Sequence, residues 1–163
     1  MLEQLRPCMT AKSAYDIDYK MLRRNNVRLV MFDIDNTLVP HGCTADQKCR
    51  DLIKRLKDMG FHVILISNAK KSRVEPFARS IKAKYTYKAR KPKPKAYRAA
   101  MRSCRTRPKQ AIYIGDQIFT DMLGANRAGV ISCLVDPISP NEGFEIRIKR
   151  PLERLVMKLL KIK

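Results

Sequence analysis

Asp33-Ile34-Asp35-Asn36-Thr37-Leu38 sets two carboxylates two residues apart, directly after an apolar run. Like charges that close are costly unless a cation or a shared proton compensates them. A magnesium ion would do so, since it takes one or two carboxylates and fills its remaining positions with water and phosphate oxygens. Asp116, behind Gly115, is the natural third anionic contribution, and Asp121 lies five residues beyond it. The same two-carboxylate spacing recurs at Asp16-Ile17-Asp18, but no apolar run precedes it. Asp18 reads there as the N-cap of a helix beginning at Tyr19.

The elements that must position these residues follow from the apolar pattern. Val27–Phe32, Val63–Ile66, Ala111–Ile114 and Ile131–Val135 are short, β-rich runs that read as buried strands, with a shorter extended piece at Tyr85–Tyr87. Helices are expected over 44–59, 71–82, 96–103 and 120–128. The first of these is signalled by a Thr44/Gln47 capping box and a stop at Gly60. Around Pro92 and Pro94 a loop is expected, because the residue before each proline is pushed out of the helical region. Strands alternating with helices predict an α/β fold: a three-layer, doubly wound, Rossmann-like sheet, mostly parallel. Ligands bind such sheets beyond the carboxyl ends of the strands. Asp33, Ser67 and Asp116 each directly follow an apolar strand, so they are expected to meet at one rim.

These residues form four motifs in order: Asp33-Ile-Asp35-Asn-Thr-Leu, Ser67-Asn68, Lys91 within Arg90-Lys91-Pro92-Lys93-Pro94, and Gly115-Asp116-Gln-Ile-Phe-Thr120-Asp121. The chain thereby resembles the haloacid dehalogenase superfamily of phosphatases, subfamily IIIA. Lys93 also precedes a proline, but the Arg-Lys-Pro-x-Pro pattern resembles members that use the lysine directly after the arginine, which selects Lys91. The resemblance implies that Asp33 is a nucleophile forming an aspartyl-phosphate and that Asp35 is the general acid and base. It implies that Ser67, the Asn68 backbone and Lys91 hold the phosphoryl group. It further implies that Mg²⁺ is bound by Asp33, the Asp35 carbonyl and Asp116, with Asp121 behind them orienting Lys91 or a metal-bound water.

Length and charge narrow the substrate. The 163 residues suit one domain, 1–163, with a core of its own. Only a handful of residues separate Leu38 from Thr44, and 22 separate Asn68 from Lys91, which leaves no room for a cap domain over the site. An open site suits a phosphate attached to something large or held at a surface. The net charge is +20, and the stretch Lys70–Lys109 alone carries 16 Lys or Arg against the single acid Glu75. An anionic partner is expected from such a face. Five cysteines without a CxxC pair read as reduced thiols. No signal segment opens the chain and no apolar run reaches the roughly 18 residues of a bilayer span, so a cytoplasmic protein is expected.

From Pro151 onward, Leu152, Leu155, Val156, Leu159 and Leu160 fall at helical spacing among Arg154, Lys158, Lys161 and Lys163. The segment 151–163 therefore reads as a basic amphipathic helix, lying either on the sheet or on anionic lipid. Ser13–Asp18, the run Gly115–Asp121 with Gly129 behind it, and the Gly143-Phe144 step resemble a narrower branch, the YqeG-like or phosphatidylglycerophosphatase-type members. That resemblance implies hydrolysis of phosphatidylglycerophosphate at the inner face of the cell membrane. Two other readings stay open: the same chemistry on a soluble sugar or nucleotide phosphate or a nucleic-acid end, and a basic nucleic-acid-binding protein with an idle phosphatase fold. Aromatics are only 7% of residues and form no ribonucleoprotein pattern, which weighs against the last.

Overall fold

Burial on both faces is what makes the central strands, and they form the middle of one six-stranded sheet. In the computed structural model, which describes residues 2–139 and 144–162, β1 (Met9–Ala11), β2 (Leu29–Phe32), β3 (His62–Ile66), β4 (Lys84–Thr86), β5 (Ala111–Gly115) and β6 (Ile131–Val135) are all parallel. Their order is β1-β6-β5-β2-β3-β4. Alternate residues feed two cores. Val30, Phe32, Val63, Leu65, Ile112 and Ile114 face α1 (Tyr19–Arg24), α2 (Gln47–Asp58) and α3 (Lys71–Ser80). Leu29, Met31, Ile64, Ile66 and Tyr113 face α4 (Lys95–Ser103), α5 (Leu123–Ala128) and α6 (Phe144–Leu159). The expected doubly wound α/β architecture is therefore present and wholly parallel. Among the described residues nothing forms a cap over the rim, and no helix is long and apolar enough to cross a membrane.

Chain order runs outward from β2 in both directions, through β3 and β4 on one side and through β5 and β6 on the other. The crevice of a doubly wound sheet opens where that order reverses, beyond the carboxyl ends of β2 and β5. Asp33 and Asp116 occupy those two ends.

Several local expectations shift. α2 starts at Gln47, capped by Asp46, whose Oδ1 accepts from the Cys49 N–H at 2.7 Å. The Thr44/Gln47 box does not form, and Gln47 instead donates to Asp51. Asp18 caps α1 as read, accepting from the Met21 N–H at 2.9 Å. The helix expected over 120–128 begins with a π-helical turn, Ile118–Met122, before α5. The last helix spans Phe144–Leu159, so Pro151 sits inside it rather than opening it. β1 was not anticipated: three residues at a sheet edge are too few to show a period. All five cysteines are free.

Candidate active site

Asp33 leaves β2 with its N–H still in the ladder, donating to the Ile114 carbonyl at 3.0 Å, so its side chain is fixed at the rim. The turn that follows buries Thr37, whose hydroxyl donates to Asp116 Oδ1 at 3.2 Å. Ser67 closes β3, is buried, and accepts from the Ala69 N–H at 3.2 Å. Asn68 grips the backbone of Lys91 from both sides, accepting from its N–H at 2.7 Å and donating to its carbonyl at 3.2 Å.

That grip sends the Lys91 side chain inward. Its ammonium lies 2.9 Å from Asp33 Oδ1 and 2.7 Å from Asp121 Oδ1, with all three groups buried. It also donates to the Tyr113 hydroxyl at 2.9 Å, and that hydroxyl has Asp121 Oδ1 at 3.0 Å and the Ile66 carbonyl at 3.2 Å as acceptors for its one proton. Asp121 Oδ2 accepts from the Gln117 N–H at 3.2 Å. Gly115 is required here, because a Cβ at that position would stand 2.4 Å from Asp121 Oδ2. Lys93, the other proline-preceding lysine, is exposed.

Asp33, Asp116 and Asp121 each offer a carboxylate oxygen within 4.8 Å of the others. Burial pushes Asp33 up to about 6, with Asp121 adding to the effect and Lys91 opposing it. Burial, then Asp121 and Asp33, push Asp116 up to about 8 against the pull of Arg150. Burial works against the charge on Lys91, but the two aspartates more than reverse this and hold it above its ordinary range. Three buried carboxylates thus face two buried or half-buried cations. An all-oxygen donor set of net negative charge fits a hard divalent cation such as Mg²⁺.

Asp35 stands apart from this cluster. Its Oδ1 accepts from Arg73 at 2.8 and 3.3 Å and from the Gly42 N–H at 2.9 Å. Arg73 was missed in the sequence because its partner lies 38 residues away and nothing local marks it. Arg150 was missed for the same reason. From α6 it forms an ion pair with Asp116 Oδ2, donates to the Asp116 carbonyl at 2.9 Å and to Glu153 Oε2 at 2.8 Å, while Glu153 Oε1 accepts from the Ile118 N–H at 2.9 Å. Tyr113 was visible only as strand core. Strand alternation was the available signal that its ring lies on the α4–α5 face, where Lys91 arrives.

A parallel α/β sheet with buried carboxylates and a lysine at its switch point suits the handling of a phosphate group. A family model for haloacid dehalogenase-like hydrolases matches residues 41–129. The probable phosphatase YqeG of Bacillus subtilis (strain 168) is 35% identical over 153 residues, 93% of this chain and 89% of that protein. Phosphatidylglycerophosphate phosphatase 1, chloroplastic/mitochondrial, of Arabidopsis thaliana is 30% identical over 167 residues, covering 95% of this chain but 47% of that one, so the chain spans about half of that relative. Among solved structures, the cobalt-bound deoxy-D-mannose-octulosonate 8-phosphate phosphatase of Haemophilus influenzae superposes with a TM-score of 0.58 at 14% identity, over 82% of this chain and 89% of that one. An uncharacterized protein of Listeria monocytogenes serotype 4b gives 0.55 at 16%, over 81% and 99%. These two show the shared fold. The chain belongs to the haloacid dehalogenase-like hydrolases and is a phosphatase.

Proposed function

We propose that the chain hydrolyses phosphatidylglycerophosphate to phosphatidylglycerol and phosphate at the cytoplasmic face of a membrane, through an aspartyl-phosphate on Asp33. The observation that carries the chemistry is Asp33 beside the buried Lys91 ammonium at an uncapped rim. An Asp33 carboxylate oxygen attacks phosphorus; the new O–P bond replaces the bond to the ester oxygen, which leaves with a proton from Asp35. Asp35 then takes a proton from the water that attacks phosphorus and releases Asp33. The Arg73 and Gly42 hydrogen bonds to Asp35 all fall on Oδ1, which leaves Oδ2 to handle the proton. Ser67 and the Asn68 backbone receive the phosphoryl oxygens, and Lys91, held by Asp121 and Tyr113, offsets their charge. Asp33, the Asp35 carbonyl and Asp116 would hold Mg²⁺, which supplies further neutralisation of the phosphoryl charge when bound.

What supports the lipid ester is the open rim, the basic surface and the named activity of the Arabidopsis relative. Of the 16 basic residues from Lys70 to Lys109, all but Arg73 and Lys91 are exposed. The test is phosphate release from phosphatidylglycerophosphate in anionic vesicles with Mg²⁺, beside a panel of soluble sugar and nucleotide phosphates and phosphorylated nucleic-acid ends. The lipid is expected to be preferred, with turnover in Asp33→Asn lower by about 10³-fold or more. Preference for a soluble ester, with no gain from vesicles, would replace the lipid reading; an unchanged rate in Asp33→Asn would end the covalent mechanism.

A further inference from the structure

The inner side of α6 is committed to the domain. Val156 and Leu160 are buried in the core cluster that also holds residues of α4 and α5, Arg150 and Glu153 lock onto the Asp116 and Ile118 segment, and the Arg6 guanidinium donates to the Leu160 carbonyl at 2.8 Å. Among the described residues the outer side is exposed. Ile148, Leu152, Leu155 and Leu159 are each more than half exposed, and they make up half of the exposed large apolar residues among the described ones. Steps of four, three and four place them in one stripe along the helix, about 16 Å long at 1.5 Å per residue. A second row, of exposed bases, lies about a third of the way round the helix from the stripe: Arg154 and Lys158 stand four residues apart, and exposed Lys161 follows beyond the helix end. The only acid from residue 148 to residue 162 is Glu153, which is buried.

We propose that this outer face of α6 is a docking surface for an anionic lipid bilayer, lying in the headgroup layer with the aliphatic stripe down and the basic row among the lipid phosphates. Charge decides between this occupant and a second copy of the chain. A second copy would bring the same basic row and another +20 of net charge against it, whereas an anionic surface attracts each exposed base. An apolar stripe beside a basic row is also the pattern that holds helices at a membrane surface without spanning it. The position of the stripe matters to the enzyme: Leu152 lies on the opposite side of α6 from Arg150, which touches Asp116, so a seated α6 holds the site about one helix diameter, about 10 Å, from the headgroups. This deepens the lipid-substrate reading and rests on it for its purpose, but its test uses no substrate lipid.

The chain has no tryptophan, so Leu155→Trp in the full chain provides a single reporter. Vesicles of phosphatidylcholine with about a third phosphatidylglycerol are expected to blue-shift its emission, and vesicles of phosphatidylcholine alone to do so far less. Lys54→Trp, on α2 across the sheet, is expected to show no shift with either. Leu152→Glu combined with Leu155→Glu is expected to lower co-sedimentation with the anionic vesicles at least about tenfold, with hydrolysis of p-nitrophenyl phosphate unchanged. The proposal is overturned if the unmodified chain does not bind those vesicles, if the paired glutamates leave binding intact, or if the blue shift arises without vesicles as the protein dimerises. Vesicle binding that responds as expected, in a chain that does not hydrolyse phosphatidylglycerophosphate, supports the docking surface and removes only the substrate assignment.

Discussion

Lys91 bridges Asp33 and the Asp121 behind it, with its ammonium within 3 Å of Asp33, Asp121 and the Tyr113 hydroxyl and all four side chains buried. Removing one partner from a buried ionic network leaves uncompensated charge, at a cost of about 3 kcal/mol or more. Lys91→Met is therefore expected to lower unfolding stability in urea by that order and to abolish hydrolysis. Lys93→Met is expected to change stability by less than about 0.5 kcal/mol, because that side chain lies in solvent. Equal effects from the two substitutions would mean that the proline loop is arranged otherwise. The Arg-Lys-Pro-x-Pro resemblance chose Lys91 over Lys93; what turns Lys91 inward is the pair of Asn68 hydrogen bonds to its backbone, a contact across 23 residues that the sequence alone does not show.

At the scale of elements, what could be read beforehand was whatever is dictated by neighbours in sequence. β2, β3, β5 and β6 are covered on both faces, so each is a continuous apolar run whose end marks the rim, and Asp33, Ser67 and Asp116 were legible because they follow such runs. The start of α2 was misplaced because Thr44 and Asp46 are both good caps; the backbone geometry at Asp46 chose between them. Asp46→Ala is expected to cost about 1 kcal/mol and Thr44→Ala only a few tenths, by thermal unfolding, and the reverse order would restore the earlier start. The π-helical turn was hidden for a different reason. The Asp121 and Met122 N–H groups both bond the Gln117 carbonyl, a local widening that aims Asp121 back at Lys91 and leaves no mark on apolar periodicity. Pro151 was read as a helix start, yet α6 continues through it, pinned by Arg150 and Glu153 to a segment more than 30 residues earlier.

For the whole molecule, the sheet gathers mutually repelling carboxylates from separate stretches, and folding must bear that repulsion. Asp33 at about 6 and Asp116 at about 8 are both raised above their unfolded values near 4. Raised carboxyls bind protons more tightly in the folded state, so their contribution is fully present below about pH 4 and is lost as pH climbs through 6 and 8. A cation that binds the ionised cluster restores what is lost. Mg²⁺ is thus expected to raise the melting temperature more at about pH 8 than at about pH 5, and an equal increment at both would place the cation elsewhere. The central claim, that the fold turns Asp33 into a nucleophile toward phosphorus, is tested most directly on the protein during turnover. Acid quenching followed by borohydride reduction converts an aspartyl-phosphate to homoserine, and peptide mass mapping locates it. Homoserine at position 33 and at no other aspartate is the expected result; full turnover with an unmodified Asp33, or with the label at another carboxylate, would contradict it.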